Sequence, residues 1–169
     1  MRQRIVMLCF GLCLLLPCCF SVPHYVIPKT DISARTLHPE VDHPRILIAS
    51  DRTAFKEQVI EAVVNEIKNR NIQITITGLK TLKNLNASDF DAIMLLNQCW
   101  SWSMDQNVIR FVEKYPAHPA IIVLTTSGDN QWLPKKRSTF DALSGASKTG
   151  QIDETARLLI TKIEAAIHP

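Results

Sequence analysis

The chain has 169 residues, 46% of them hydrophobic and 21% charged, with a formal net charge of +3. That length suits one domain, and the apolar fraction is enough to bury a real core. So small an excess of positive charge argues against nucleic acid as a partner, and the one tight basic run, Lys135–Lys136–Arg137, reads as a solvated loop.

Arg2 and Arg4 precede an apolar stretch from Ile5 to Leu16, followed by Pro17, Cys18, Cys19, Phe20 and Ser21. A basic start, an apolar run and a small residue after it form the export pattern, with cleavage after Ser21. Residues 1–21 are therefore read as a signal peptide or membrane anchor. Ile5 to Val22 lies at the lower end of the roughly 17–25 apolar residues that span a bilayer. A lipoprotein fits poorly, because neither Pro17 nor Cys18 is the small residue expected before a lipidated cysteine. A buried N-terminal helix fits worse, since no amphipathic period is visible. The expected location is outside the cytoplasm, periplasmic or anchored and facing outward, with membrane contact only through an uncleaved leader. Cys9, Cys13, Cys18 and Cys19 all fall in the leader. A domain without it has Cys99 alone and no internal disulfide, and Cys99 reads as a small buried hydrophobe rather than a nucleophile.

Residues 22–44 read as a proline-containing linker. Pro23, Pro28, Pro39 and Pro44 interrupt any period, and the spacing of His24, His38 and His43 matches no closed metal site. The body then alternates strand and helix. Arg45–Ser50 is a short apolar first strand. Phe55, Val59, Ala62, Val63 and Ile67 recur at helical spacing and predict a helix over 54–70, ended by Asn71. Ile72, Ile74 and Ile76 alternate with Gln73, Thr75 and Thr77 as a half-exposed second strand at a sheet edge. Leu79–Asn86 has no clear period, and Asn86–Ala87–Ser88 matches a glycosylation sequon of the kind that arises by chance. Asp91–Leu96 is a buried third strand. Asp105 caps a helix carrying Val108, Ile109, Val112 and Tyr115, ended near Pro116 and Pro119. Ala120–Thr125 is the fourth strand and Phe140–Leu143 a short fifth. Ser144–Ser147 reads as a loop, with Ser147 or Thr149 capping a final helix whose face is Ile152, Ala156, Leu159, Ile163 and Ile167.

This alternation predicts an α/β domain over 45–169, with helices on both faces of a mostly parallel, five-stranded sheet. In such sheets ligands bind outside the carboxyl ends of the strands, where the strand order reverses. Those ends are Ser50–Thr53, Asn97–Trp102 and Thr125–Trp132. All three tryptophans of the chain, Trp100, Trp102 and Trp132, fall in the last two.

The stretch Asp89–Phe90–Asp91–Ala92–Ile93–Met94–Leu95–Leu96–Asn97–Gln98–Cys99–Trp100–Ser101–Trp102 resembles the third strand and following loop of flavodoxin-like proteins. There Asp, an aromatic and Asp lead into an apolar strand, a Trp-bearing loop and a helix similar to Val108–Ile109–Arg110–Phe111–Val112–Glu113. Ile121–Ile122–Val123–Leu124–Thr125–Thr126–Ser127–Gly128 resembles that family's fourth strand and flavin loop. The resemblance covers Arg45 to Ile167. It implies a three-layer sandwich with sheet order 2-1-3-4-5, FMN as cofactor, and electron transfer with a redox partner protein. It further implies that the phosphate lies at Ser50, Arg52 and Thr53, and the ring among Asn97, Trp100, Trp102, Thr126, Ser127, Gly128 and Trp132.

The first loop departs from the family. A phosphate is normally held there by backbone N–H groups and hydroxyls at a helix N-terminus. Ser50–Asp51–Arg52–Thr53–Ala54 keeps two hydroxyls and offers Arg52, but it has no glycine to let the backbone approach closely, and Asp51 repels an anion. The loop after the third strand has Asn97 and Gln98 where the family usually has small Gly and Pro residues before its Trp. The tryptophans either stack on a ring or cap the core and anchor loops. Ser127–Gly128–Asp129 either offers amides to a ring edge or is a plain turn. No metal-ligand spacing and no Cys-His or Ser-His-Asp pattern appears, and His118 and His168 sit near proline-marked ends. Two readings therefore stand together: an exported FMN-binding electron carrier, and a flavodoxin-like domain that has lost FMN and serves as a binding or interaction module. A hydrolase or reductase using the same crevice has no positive support.

Overall fold

The computed structural model describes residues 29–128, 132–134 and 140–168; the leader, the first part of the linker, Asp129 and Lys135–Arg137 lie outside the described residues. In chain order the elements are β1 (Arg35–Leu37), β2 (Arg45–Ser50), α1 (Ala54–Ile67), β3 (Gln73–Gly78), β4 (Ala92–Gln98), α2 (Gln106–Lys114), β5 (Ile121–Ser127), β6 (Asp141–Ala146) and α3 (Ile152–Ile167). Short 3₁₀ turns at Leu79–Asn84 and Ala87–Asp89 join β3 to β4.

These strands form one sheet in the order β1-β3-β2-β4-β5-β6. From β3 to β6 every pairing is parallel, which reproduces the expected 2-1-3-4-5 order of the five sequence-read strands. The sheet has six strands rather than five. Arg35–Leu37, placed in the linker on sequence, pairs antiparallel with β3, Arg35 opposite Ile76 and Leu37 opposite Ile74. The Ile72–Thr77 strand is therefore not an edge. Its open N–H and C=O groups are covered from within the chain, one way of blunting a hazardous edge.

Alternate side chains of the strands enter two different cores, as a pleat with period two requires. Ile46, Ile48, Ile74, Ile76, Met94, Leu96, Ile122 and Leu124 face α1 and α3. Leu47, Ala49, Ile93, Leu95, Ile121 and Val123 face α2 and the Leu79–Asn84 turn, against Leu82, Val108, Phe111 and Val112. Burial on both faces explains why these strands read as unbroken apolar runs.

The helices follow their caps. Thr53 is extended and its side chain accepts the Lys56 N–H, opening α1. Asp105 does the same for Asn107 and opens α2, as its residue type predicts. Other boundaries differ from the sequence expectation. α1 ends at Ile67, short of Arg70, in a tight turn closed by Arg70 N–H to Ile67 O. β6 runs to Ala146, because Ser144, Gly145 and Ala146 are paired with Thr125, Thr126 and Ser127, so the expected loop is strand. Neither Ser147 nor Thr149 caps α3; it starts after a 3₁₀ turn at Thr149–Gln151, without a side-chain cap bond.

Candidate functional site

With β3 on one side of β2 and β4 on the other, the chain reverses its direction of travel across the sheet between β2 and β4. The crevice at a doubly wound sheet's switch point lies beyond those two carboxyl ends. Its walls are Asp51–Thr53 at the start of α1 and Cys99–Asp105 at the start of α2.

Asp51 and Lys56 occupy the first wall. Lys56 Nζ donates to Asp51 Oδ1 at 2.5 Å, with relative side-chain exposures of 0% and 6%. Burial lowers the ammonium's pKa from its usual 10.5, and the facing Asp51 carboxylate opposes that shift only in part. Three further groups of this loop are engaged within the fold. Ser50 Oγ donates to Asp51 O at 2.8 Å. Arg52 Nε donates to Glu57 at 2.9 Å. The Arg52 N–H donates to Thr30 O at 2.7 Å.

That last bond comes from a strap, Lys29–Ile32, lying across the ends of β2 and β3. Ile32 N–H donates to Ser50 O at 3.3 Å, so Asp31 and Asp51 face each other as an isolated antiparallel bridge. Lys29 Nζ reaches over to Asp105 Oδ2 at 2.9 Å. Burial acts to raise the Asp105 pKa. The bonds from Lys29 and from the Asn107 N–H outweigh it and hold the carboxyl below its usual 3.8.

Asn97 organises the second wall. It is fully buried; its Nδ2 donates to Leu124 O at 3.2 Å and Thr125 Oγ1 at 3.1 Å, and its Oδ1 accepts the Asp105 N–H at 3.1 Å. It staples β4, β5 and the start of α2 together, and its amide is committed to that task. Thr126 is likewise buried, with Oγ1 directed at Asn97 O at 3.4 Å. Trp100 and Ser103 exchange backbone bonds of 3.0 and 3.1 Å. They enclose Ser101 and Trp102, whose φ values are 51° and 62°. Trp102 is 79% exposed, while Trp132 packs partly buried against the α2-side core. Gly128 is exposed with open space at its Cα. Ser127 is half-buried, and so is Cys99, whose N–H donates to Thr126 O at 2.8 Å.

The sequence-read site residues therefore divide. All ten lie at or beyond the carboxyl ends of β2, β4 and β5. The polar side chains of Ser50, Thr53, Asn97 and Thr126 are committed to bonds within the fold. Trp102 and Gly128 face solvent. Lys56, Lys29 and Asp31 belong to the crevice but carry no sequence signal that points there. Asp51 and Lys56 stand five residues apart, a spacing that does not advertise a pair, and Lys29 and Asp31 read as linker.

The residues of the first wall do not fit the FMN phosphate. A dianion there would meet a buried carboxylate, a Ser50 hydroxyl whose proton already goes to Asp51 O, and an Arg52 N–H capped by the strap. With no glycine among residues 50–54, the backbone cannot draw in closer.

No protein-family model and no curated protein matches the chain. Solved structures do. A flavodoxin from the domain Archaea superposes with a TM-score of 0.52 at 14% identity, covering 73% of this chain and 99% of its own. A point mutant of flavodoxin from Pseudomonas aeruginosa gives 0.51 at 13% identity, covering 74% and 99%. A short-chain flavodoxin associated with a non-canonical PDU bacterial microcompartment gives 0.51 at 11% identity, covering 72% and 97%. The chain has a flavodoxin-like fold.

Proposed function

We propose that this is an exported flavodoxin-like domain that has given up its phosphate site and acts as a binding module outside the cytoplasm, periplasmic or anchored through residues 1–21. The observation that carries this reading is the buried Asp51–Lys56 pair. The buried Lys56 is satisfied by Asp51, and moving the two apart to admit an anion would strand a buried charge, at roughly 3–5 kcal/mol. Trp102 supports a contact role, since a large exposed indole beside a crevice is a common anchor for a partner.

FMN binding with electron transfer to a redox partner protein is the second reading. It is favoured by the fold and by an exposed Trp102 at the loop where a ring would stack. The full chain, purified without added flavin, separates the two. The module reading expects a colourless protein whose tryptophan fluorescence is unchanged by FMN. A yellow protein, or fluorescence quenched by FMN and restored in Trp102→Ala, overturns it. Mass spectrometry of the protein recovered from its host tests export; an intact chain beginning at Met1 in the soluble cytoplasmic fraction would refute it.

A further inference from the structure

A pocket of about 220 Å³ lies on the flank of α2, outside the crevice, between that helix and the Leu79–Asn84 turn. Two buried side chains, Leu82 and Phe111, form its floor. Three exposed cations stand around it, Lys83, Arg110 and Lys114, with Asn107 at its head, and no carboxylate lines it. The frame is fixed at both ends. Thr81 Oγ1 donates to Gly78 O at 2.7 Å at the start of the turn, and Tyr115 Oη donates to Leu85 O at 3.1 Å where α2 ends. Elsewhere Lys29, Arg35, Arg52, Lys56, Arg70 and Lys162 each pair with a carboxylate. Among the described residues Lys83 and Arg110 pair with none, and Lys114 has only the Tyr115 ring, 4.9 Å from its Nζ. The Asp105 carboxylate at the head of the helix is taken up by Lys29 and Asn107. Arg110 and Lys114 stand four residues apart on one helix face, where like charges repel. Cations gathered over an apolar floor with no counter-charge are unfavourable to the free fold and favourable to an anion.

We propose that this pocket binds a small phosphate monoester whose organic part is apolar. The Arg110 guanidinium presents a planar fork that matches an oxyanion through two parallel bonds, and Lys83 and Lys114 add flexible point charges. A phosphate monoester carries about −1.5 to −2 charge at neutral pH, so three cations without counter-charge match it better than they match a single carboxylate. Leu82 and Phe111 receive the apolar group, which distinguishes the ester from inorganic phosphate. The volume falls below the roughly 300–1,000 Å³ of sites for drug-sized ligands, so the organic part is about the size of one ring. The pocket shares no residue with the crevice walls; the inference goes beyond the module reading and does not rest on it.

The probe is phenyl phosphate, titrated into the full chain and followed by phosphorus NMR. The expected result is saturable binding that weakens as salt is raised. Lys83→Gln/Arg110→Gln weakens it about tenfold or more, the scale of lost charged hydrogen bonds. Both side chains are exposed, so the double variant keeps its fold, which circular dichroism checks. Lys148→Gln removes an exposed cation at the far end of the sheet order, just before α3, and leaves the binding unchanged. Inorganic phosphate has the charge without the apolar group and binds about tenfold or more weaker than phenyl phosphate. No saturable binding up to about 10 mM overturns the proposal, and so does an unchanged affinity in the double variant. An equal loss in Lys148→Gln would show that net charge alone is at work, and inorganic phosphate binding as tightly as the ester would show ion attraction alone; either result overturns it. Quenching by FMN that depends on Trp102 refutes the module reading and leaves this site standing. A colourless protein that ignores phenyl phosphate loses this site and keeps the module reading.

Discussion

Lys56 Nζ lies 2.5 Å from Asp51 Oδ1, and neither side chain reaches solvent to any useful extent. Two charges taken out of water are tolerated only as a pair, so the two positions are coupled. Removing one partner costs far more than removing both. Asp51→Leu or Lys56→Met alone destabilises the domain by about 3–5 kcal/mol. Replacing both with apolar residues of similar volume, Asp51→Leu with Lys56→Met, recovers most of that loss. Urea unfolding of the four proteins gives the coupling energy directly. Additive losses would show that the pair is not coupled.

The Lys29–Asp105 pair makes stability depend on pH. Asp105 is held below its usual 3.8 by Lys29 and by the Asn107 N–H, against the opposing effect of burial. A carboxyl with a depressed folded pKa contributes stability that is complete above its unfolded value and lost as the pH falls through the folded one. Asp105→Asn keeps the cap on α2 but gives up the ion pair. The variant is less stable by about 1–2 kcal/mol near neutral pH, the scale of a charged hydrogen bond, and the gap narrows as the pH drops below 3.8. Thermal melts of both proteins from neutral pH down to about pH 3 check it. A gap that stays constant through that range would count against Asp105 as the titrating group.

How much of this is legible in the sequence depends on the kind of signal. The order of β2 to β6 is readable because burial on both faces leaves unbroken apolar runs, with a helical period between them. Asp105 is readable as a cap because capping is a local, residue-specific interaction. Arg35–Leu37 is not readable. So short a strand among prolines and histidines has no period, and its place is fixed by pairing with β3, far along the chain. Ser144–Ala146 misleads for a related reason: small polar residues look like a turn, yet the register with β5 makes them strand. The candidate site is legible as a place and not as a set of donors. Spacing locates the carboxyl ends of the strands, but Asn97 and Ser50 point inward and Asp51 is neutralised by Lys56, facts that live in three dimensions.

Asn97 is the test of that distinction between structural and ligand-facing residues. A ligand residue can be exchanged with little effect on folding, whereas this amide joins Leu124, Thr125 and Asp105. Asn97→Leu has nearly the same size and leaves the Asp105 N–H without its acceptor. The expected loss is about 2–3 kcal/mol, from a broken buried network and an orphaned donor. Urea midpoints measure it. A loss within the noise of a surface substitution would return Asn97 to the residues free for binding.

Ser101 and Trp102 form the two central positions of a tight turn closed by reciprocal Trp100–Ser103 bonds, both with positive φ. Turns of this kind favour Asn and Gly, because side chains in the left-handed region cost about 1–2 kcal/mol each. A tryptophan placed there and 79% exposed contributes strain and little burial. Trp102→Gly relieves the strain while adding chain entropy to the unfolded state, a net gain of about 0.5–1 kcal/mol. Trp102→Ala keeps the backbone penalty and gains nothing. The comparison of these two variants by urea unfolding isolates the backbone from the lost indole, since both remove it. Equal midpoints would mean that the turn carries no strain at this residue. A more stable Trp102→Gly that has also lost its partner would show that the indole is kept for contact at the expense of stability.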